Sequence, residues 1–141
     1  FTIYKFRSMM VNAEDKGPQL CNDGKDKRLT KTGKFLREHH LDELPQLWNI
    51  FIGDMAFIGP RPKRKYYIDK IIKKDPRYAY LYQIRPGITS MATLYNGYTN
   101  TMDKMLKRLE MDLEYLEHRS WWLDAKILGL TFLKILFGRK F

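Results

Sequence analysis

The chain has 141 residues, which fits one domain and excludes two cores of ordinary size. Its 26 Lys and Arg residues exceed its 16 Asp and Glu residues, and the formal charge of +10 predicts partners that carry negative charge, such as phosphates, nucleic acid or acidic lipid headgroups. The 44% of hydrophobic residues excludes intrinsic disorder, and the lone cysteine, Cys21, excludes an intrachain disulfide and a cysteine-rich zinc site and favours a reducing compartment.

The chain is predicted to begin with a short strand and a polar loop. Residues 2–7 are rich in β-branched and aromatic side chains and alternate, which is typical of a strand and places Lys5 and Arg7 on one face. Residues 11–28 are polar and contain turn signals, so we expect a surface loop there.

Two short helices are predicted next, over residues 32–38 and 43–51. In the second helix, Asp42 stands at the N-cap position and Gly53 follows the end. Pro45 falls in the first turn, where a missing N–H group does no harm. Apolar residues at helical spacing form a stripe that we expect to face the core: Leu44, Leu47, Trp48 and Phe51.

Two rigid turns that each carry an arginine are predicted in the middle of the chain. A short strand is expected over residues 55–58, and Gly59-Pro60-Arg61-Pro62 closes it with two prolines that fix the backbone around the arginine. Farther along, Arg85 directly precedes a Pro-Gly turn.

The remaining elements are predicted to be helices. Residues 63–74 alternate basic and apolar side chains, which predicts a helix with a basic face. A longer helix is expected over residues 101–118, with a buried stripe of Met102, Leu106, Leu109, Leu113 and Leu116. Residues 121–137 are mostly apolar, and the pair Trp121 and Trp122 marks either core residues or anchors in a membrane interface.

The adjacent carboxylates Asp42 and Glu43 are the strongest candidates for chemistry. At a helix start, the helix dipole and the free N–H groups keep a carboxylate ionised and also attract phosphate. One carboxylate can then act as a nucleophile while the other holds a metal ion. The alternative is that Asp42 only caps the helix and Glu43 is a surface residue, which is the commoner arrangement.

Arginines on stiff turns strengthen the case for phosphate chemistry. Arg37, Arg61 and Arg85 each offer a planar fork that matches phosphate oxygens. Lys5 and Arg7 are weaker candidates for the same task. Together with the two carboxylates these residues predict a diphosphate site with Mg²⁺, whose preferred ligands are carboxylate and phosphate oxygens. Taken singly, each arginine is more often a solvated surface charge.

Other polar groups give weaker signals. His39 and His40 do not predict a zinc site, because neighbouring histidines on a helix point apart and no third ligand is suitably spaced. The segment Asn96-Gly97-Tyr98 is typical of a plain turn, although its amide and phenol also suit contact with a sugar or a base.

A series of ordered motifs covers nearly the whole chain. They are Lys5-Phe6-Arg7-Ser8-Met9, Arg28-Leu29-Thr30 with Gly33-Lys34-Phe35-Leu36-Arg37, Leu41-Asp42-Glu43-Leu44-Pro45-Gln46-Leu47-Trp48-Asn49, Gly53-Asp54-Met55, Gly59-Pro60-Arg61-Pro62 and Arg85-Pro86-Gly87-Ile88-Thr89. Each motif alone is weak, but the series resembles the bacterial sugar transferase family, the monotopic phosphoglycosyl transferases that start glycan assembly on a polyprenyl phosphate carrier.

The resemblance implies an enzyme that transfers a sugar 1-phosphate from a nucleotide diphosphate sugar, usually a UDP-sugar, to polyprenyl phosphate, with Mg²⁺ required. Such a transfer initiates exopolysaccharide, capsule, O-antigen or glycoprotein glycan synthesis at the cytoplasmic face of the bacterial inner membrane. The family's Asp-Glu pair falls on Asp42 and Glu43. This implies that Asp42 attacks the β-phosphate to form a covalent phosphosugar intermediate, and that Glu43, with Asp42 beside it, binds the metal ion. Arg37, Arg61 and Arg85 would then hold phosphates.

The resemblance also implies a membrane anchor and reveals a departure in sequence. Family members carry an N-terminal hydrophobic re-entrant helix before the Lys-Phe-Arg segment, and we expect this chain to lack it. No apolar run here reaches the roughly 18 residues of a spanning helix. Many relatives continue after Thr89 with Gly and a Trp-Gln pair, whereas residues 90–98 differ here, which bears on the sugar that is accepted.

Two alternatives to the enzyme stay open. Lys63-Arg64-Lys65 with its neighbouring tyrosines is the kind of surface that stacks nucleic-acid bases, but that function leaves the Asp-Glu pair and Arg61 unexplained, so we expect no nucleic-acid partner. A catalytically dead membrane adaptor is the other alternative. The expected fold is one α+β domain over residues 1–141, mainly α, with short strands packed against amphipathic helices at an anionic membrane surface.

Overall fold

The computed structural model describes residues 1–15, 17–20, 26–97 and 99–137, so Cys21 and Tyr98 lie outside the described residues. The described chain is mainly helical with one small parallel sheet, which confirms the α+β, mainly α prediction. The helices are α1 (Lys31–Glu38), α2 (Gln46–Phe51), α3 (Lys65–Lys74), α4 (Met91–Asn96), α5 (Met102–His118) and α6 (Trp121–Leu136). The strands are β1 (Ala56–Ile58) and β2 (Gly87–Thr89), and two 3-10 segments span Leu41–Glu43 and Pro76–Gln83.

The predicted strand over residues 2–7 is wrong, because its backbone bonds to a side chain and a turn instead of to a second strand. Asn49 on α2 is fully buried. Its side-chain oxygen accepts a hydrogen bond from Tyr4 N at 3.1 Å, and its side-chain nitrogen donates to Thr2 O at 2.7 Å. Phe6 N donates to Asp42 O at 3.0 Å. The N-terminal segment therefore runs across α2 and the first 3-10 turn.

Helix α1 agrees with the predicted helix over residues 32–38. The Thr30 hydroxyl caps it by accepting a hydrogen bond from Gly33 N at 2.9 Å. Gly33 packs directly on the N-terminal segment, because a Cβ there would lie 1.8 Å from Ser8 O. Only glycine fits at this position, and the contact fixes α1 beside the N-terminal segment.

The predicted helix over residues 43–51 is interrupted at its start. His40 adopts a left-handed conformation, with φ 55°, and leads into the first 3-10 turn. Pro45 lies between this turn and α2, where its missing N–H group does not interrupt a helix. Asp42 lies inside the 3-10 turn and makes no capping bond, so the prediction that it caps the helix is wrong.

The apolar stripe of α2 faces outward, contrary to the prediction. Its side chains are exposed: Leu44 48%, Leu47 47%, Trp48 56% and Phe51 79%. The buried residues of α2 are the polar Gln46 and Asn49, because the N-terminal segment lies on that side and bonds to Asn49.

The strand predicted at residues 55–58 is confirmed as β1, and it pairs in parallel with β2, which the sequence pattern did not reveal. Ala56 is paired with Gly87, and Ile58 with Thr89. A Cβ on Gly87 would lie 2.1 Å from Gly59 N, so glycine is needed where the turn after β1 crosses the start of β2. This close contact between Gly59 and Gly87 places the Pro-Arg-Pro turn at residues 60–62 against the start of β2.

Helix α5 lies at the centre of the core and agrees with the predicted helix over residues 101–118. One cluster joins α5 to α3 and the second 3-10 segment, and it buries Ile71, Tyr78, Leu81, Met105, Leu109 and Leu113. A second cluster joins α4, α5 and α6 through Leu94, Tyr115 and Ile127. The predicted stripe is fully buried at Leu109 and Leu113 and half-buried at Met102, Leu106 and Leu116.

Helix α6 spans the predicted apolar tail and shows most of its surface to solvent. Ile127 is its buried residue. Trp121 and Trp122 are 91% and 87% exposed, so they are not core residues. None of the described helices is both long and apolar enough to cross a membrane.

Candidate active site

A cavity of about 240 Å³ lies where the N-terminal segment, the first 3-10 turn and the sheet meet α5 and α6. Its charged lining consists of Lys5, Arg37, Asp42, Glu43, Arg61 and Arg108. Hydroxyl and apolar groups complete it, among them Ile88, Thr89, Thr93, Thr131 and Ile135. Two carboxylates among four cations suit an anionic ligand, and the neutral lining suits an uncharged part of the same ligand.

Glu43 is held by two cations at the edge of this cavity. Arg61 donates to the Glu43 carboxylate from both terminal nitrogens, with Nη1 at 3.2 Å from Oε2, and Lys5 Nζ lies 2.9 Å from Oε1. Burial by itself would raise the pKa of Glu43, but the two cations outweigh burial and lower the pKa to about 2. Glu43 is therefore ionised at neutral pH.

The turn after β1 fixes Arg61 in front of Glu43. Pro60 and Pro62 restrict the backbone on either side of the arginine. Its Nη1 also donates to Ile88 O on β2 at 3.4 Å. Arg61 is thereby tied to both strands of the sheet.

Asp42 is the less engaged of the two carboxylates. It is buried, and Arg37 Nε lies 4.0 Å from its Oδ2, at the limit of an ion pair, while the same Nε donates to Ser8 Oγ at 2.9 Å. Burial and then the negative charge of Glu43 raise the pKa of Asp42, whereas the nearby cations lower it. A desolvated carboxylate that is not paired at close range is suited to act as a nucleophile.

The two carboxylates fit a Mg²⁺ ion that a substrate helps to hold. Within the described residues, no group of three His, Cys, Asp or Glu side chains is placed to bind a metal ion. Mg²⁺ is commonly bound by one or two carboxylates, while substrate phosphates and water complete its octahedron. Asp42 and Glu43 supply such oxygen ligands at the cavity, and the cations beside them favour phosphates.

Comparison with known proteins assigns the chain to a family. The family model of the bacterial sugar transferases matches residues 1–138. The chain belongs to the bacterial sugar transferase family. The resemblance inferred from the ordered motifs is therefore confirmed.

Several curated members of the sugar transferase family are similar over most of this chain. The UDP-N-acetylgalactosamine-undecaprenyl-phosphate N-acetylgalactosaminephosphotransferase of Aeromonas hydrophila is 42% identical over 138 residues, which cover 98% of this chain and 32% of the relative. The UDP-glucose:undecaprenyl-phosphate glucose-1-phosphate transferase of Klebsiella pneumoniae is 42% identical over 135 residues, 94% of this chain and 29% of the relative. The enzyme of the same name from Caulobacter vibrioides is 38% identical, over 93% of this chain and 49% of the relative. The chain thus spans from under a third to about half of the length of these relatives.

The structure brings together some of the predicted site residues of this sugar transferase domain and not others. Lys5, Arg37 and Arg61 line the cavity with the two carboxylates. Arg7 and Arg85 are exposed and are not among the lining residues, and Arg85 Nη1 lies beside Gly53. A phosphate-binding role for these two arginines stays a prediction.

Two buried charged residues, one in the site and one a helical turn away from it, are not predicted from the sequence. Arg108 and Asp112 are buried on α5, and Arg108 lines the cavity. The sequence feature that indicates them is an arginine and an aspartate four residues apart, each directly before a residue of the apolar stripe, Leu109 or Leu113. The sequence pattern indicates a core-facing stripe but does not distinguish a buried charge within it from a surface charge.

The predicted basic face of α3 is also smaller than expected. The helix begins at Lys65, and Lys63 before it is half-buried, with its Nζ 5.7 Å from the centre of the Tyr78 ring. Burial lowers the pKa of Lys63 to about 8. Lys63 therefore packs against Tyr78 and does not extend the solvated basic face of α3.

Proposed function

We propose that the protein transfers a sugar 1-phosphate from a UDP-sugar to polyprenyl phosphate through a covalent intermediate on Asp42. The observation that carries this proposal is the cavity, where a buried and weakly paired carboxylate stands next to a strongly paired one among four cations. Relatives named as transferases between UDP-sugars and undecaprenyl phosphate support this choice of donor and acceptor.

Asp42 acts as the nucleophile in the first half of the reaction. One of its carboxylate oxygens attacks the phosphorus that carries the sugar, the bond from this phosphorus to the bridging oxygen breaks, and UMP leaves with that oxygen and its electron pair. In the second half, a phosphate oxygen of polyprenyl phosphate attacks the same phosphorus and releases Asp42 as a carboxylate. Two displacements let one carboxylate serve two bulky substrates in turn.

The cations of the cavity bind and orient the diphosphate. Negative charge spreads over the oxygens of the transferred phosphoryl group and over the leaving oxygen of UMP during such a transfer. Arg61 and Lys5 are fixed at Glu43, and Arg37 lies beside Asp42, so positive charge surrounds the attacking carboxylate before the substrate arrives. Preorganised charge of this kind stabilises the transition state without reorganisation.

Glu43, with Asp42 beside it, would hold Mg²⁺. When bound, this ion neutralises charge on the diphosphate and favours departure of UMP. Because the pKa of Glu43 is about 2, its carboxylate is deprotonated and ready to coordinate throughout the physiological pH range. The metal ligation proposed here needs phosphate oxygens of the substrate to complete it.

Exposed apolar side chains support a location at the cytoplasmic surface of the bacterial inner membrane. Trp48, Phe51, Trp121 and Trp122 are each more than half exposed. Aromatic side chains of this kind anchor proteins in the headgroup region, and the charge of +10 favours anionic lipid. Helix α6 also lines the cavity through Thr131 and Ile135, so the proposed membrane-facing helix reaches the site.

The proposal is tested by UMP release from a panel of UDP-sugars, with the protein on vesicles that contain polyprenyl phosphate, in Mg²⁺ or in EDTA. We expect metal-dependent release by the wild type and almost none from Asp42→Asn or Glu43→Gln. The matched control is Asp69→Asn, an exposed carboxylate on α3 that pairs with Lys65 at 3.0 Å, and it should be fully active. Undiminished release from Asp42→Asn would remove Asp42 as the nucleophile. Silence of the wild type with every donor would favour the adaptor alternative.

A further inference from the structure

Helix α5 carries two charged side chains on its buried face. Arg108 is 4% exposed and Asp112 is 1% exposed, and their spacing of four residues puts them one turn apart on the same side of the helix. Apolar core residues surround this face. Moving charges from water into a core is unfavourable unless they are well paired, so stability alone does not explain why they are there.

One nitrogen of the Arg108 guanidinium makes a hydrogen bond to the backbone, and another has no partner within the described residues. It lines the cavity together with Arg61, and its Nη2 donates to Gly97 O at 2.8 Å. Its Nε is buried and has no hydrogen-bond partner within the described residues. A buried donor without a partner is unfavourable, and an acceptor bound in the cavity would satisfy it.

Asp112 acts on Arg108 through its charge. Neither of its oxygens makes a hydrogen bond of normal geometry within the described residues, although Ser90 is close enough to lower its pKa. Burial is the larger effect and raises the pKa of Asp112 to about 6, while Lys63 and Arg108 act in the opposite direction. The carboxylate thus faces two cations without pairing closely with either.

Positive charges outnumber negative charges around Arg108. Glu43 pairs with Arg61 and Lys5, whereas Lys63 and Arg108 face the single carboxylate of Asp112. One positive charge is in surplus at the place where Arg108 borders the cavity. A bound anion would neutralise it.

From these observations we infer that Arg108 is a further phosphate-binding arginine beside Arg61, and that Asp112 and the Gly97 carbonyl position its guanidinium. The inference rests on the proposed function, because it assigns Arg108 to the diphosphate of the nucleotide sugar. A guanidinium offers parallel N–H donors that match a diphosphate, whereas a lysine at the same place offers a point charge.

Calorimetric titration of the protein with inorganic pyrophosphate and with UDP tests the inference. Arg108→Met removes the charge and keeps much of the apolar stem, and we expect the dissociation constant for both ligands to rise by about tenfold or more. The control is Arg77→Met, because Arg77 also contacts α5, at Glu110, but is not among the residues that line the cavity. Equal pyrophosphate affinity in the wild type and in Arg108→Met would overturn the inference, as would a wild type that does not bind pyrophosphate.

A second variant covers the case in which Arg108→Met does not fold. Arg108→Lys keeps the charge and loses the fork, so we expect pyrophosphate affinity to fall by about three- to tenfold. Unchanged affinity in this variant would overturn the inference. The variant Asp112→Asn tests the positioning role of Asp112. It should raise KM for the UDP-sugar more than it lowers kcat. A fall in kcat alone would contradict that role.

The outcomes separate this inference from the proposed function. Weaker pyrophosphate binding by Arg108→Met, combined with no turnover of any UDP-sugar by the wild type, would keep the inference and contradict the transferase. Turnover by the wild type, combined with unchanged pyrophosphate binding by Arg108→Met, would support the transferase and contradict the role of Arg108.

Discussion

Helices α2 and α5 are both amphipathic, yet their apolar faces point to different surroundings. Helix α5 buries Met105, Leu109 and Leu113 between α3 and the second 3-10 segment. Helix α2 exposes Leu47, Trp48 and Phe51 and buries Gln46 and Asn49. The periodicity of a helix therefore reveals which face is apolar, but not what that face contacts.

The cause of the difference is the N-terminal segment. It lies against the polar side of α2 and satisfies Asn49 with two backbone hydrogen bonds, so the apolar side is left on the surface. The apolar face of α5 packs instead on α3 and the second 3-10 segment, while Arg108 and Asp112 are buried beside it and Arg108 lines the cavity. In the proposed function the outward face of α2 meets the membrane, whereas the buried face of α5 forms the core and contributes Arg108 to the cavity.

The largest effect expected from this comparison is on folding. Leu109→Ala on α5 should lower the free energy of unfolding by about 2–5 kcal/mol, because it empties a fully buried position. The measurement is denaturant unfolding, and Leu47→Ala on α2 is the matched control, with an expected change below about 1 kcal/mol. Equal losses at the two positions would contradict the comparison.

The next effect is a pH dependence that originates on α5. The carboxyl of Asp112 loses its proton near pH 3.8 in the unfolded chain and only at about 6 in the folded one. Between these values the folded state binds more protons, so Asp112 makes stability fall as the pH rises. Asp112→Asn should therefore gain on the order of 2 kcal/mol relative to the wild type between about pH 4 and pH 7. A difference that stays constant with pH would show that the carboxyl is not desolvated.

A smaller effect concerns the outward face of α2. The double variant Trp48→Ser with Phe51→Ser should bind anionic phosphatidylglycerol vesicles about tenfold more weakly, because it removes exposed aromatic area from the proposed membrane contact. Its unfolding midpoint should stay near that of the wild type. The control pair is Tyr80→Ser with Tyr82→Ser, which are exposed aromatic residues outside α2 and α6. Unchanged vesicle binding by the α2 variant would remove this face from the membrane contact.

The smallest effect is expected at the solvent side of α5. Arg77 pairs with Glu110 there, and the arginine is exposed. Ion pairs in water contribute little to stability, so Arg77→Met should melt at the temperature of the wild type in a calorimetric scan. A loss comparable to that of Leu109→Ala would mean that the core of α5 extends to this side.

Local patterns predicted the elements that depend on nearby residues. The spacing of Leu109 and Leu113 predicted α5, and the helix predicted over residues 32–38 is confirmed as α1, where the structure adds the Thr30 cap. The strand over residues 2–7 could not be judged in this way, because a strand exists only if another strand pairs with it, and this segment meets Asn49 instead. Strand β2 was overlooked for the same reason, since its pairing with β1 depends on contacts about thirty residues away in sequence.

The candidate site was predictable where its residues adjoin each other or belong to family motifs. Asp42 and Glu43 are neighbours, and Arg61 stands out between two prolines. Arg108 and Asp112 lie more than sixty residues away and look like ordinary surface charges on a helix until the fold buries them. Their contribution depends on tertiary packing, which the spacing of residues on one helix does not reveal.

The central claim is that Asp42 carries the sugar phosphate, and capture of this intermediate tests it most directly. The protein would be incubated with Mg²⁺ and a UDP-sugar from which it releases UMP, without polyprenyl phosphate, then digested and examined by mass spectrometry. We expect a peptide containing Asp42 to gain the mass of one sugar phosphate, and to lose it when polyprenyl phosphate is added. Steady transfer to the lipid without any such adduct, or with the adduct on a different residue, would contradict the account.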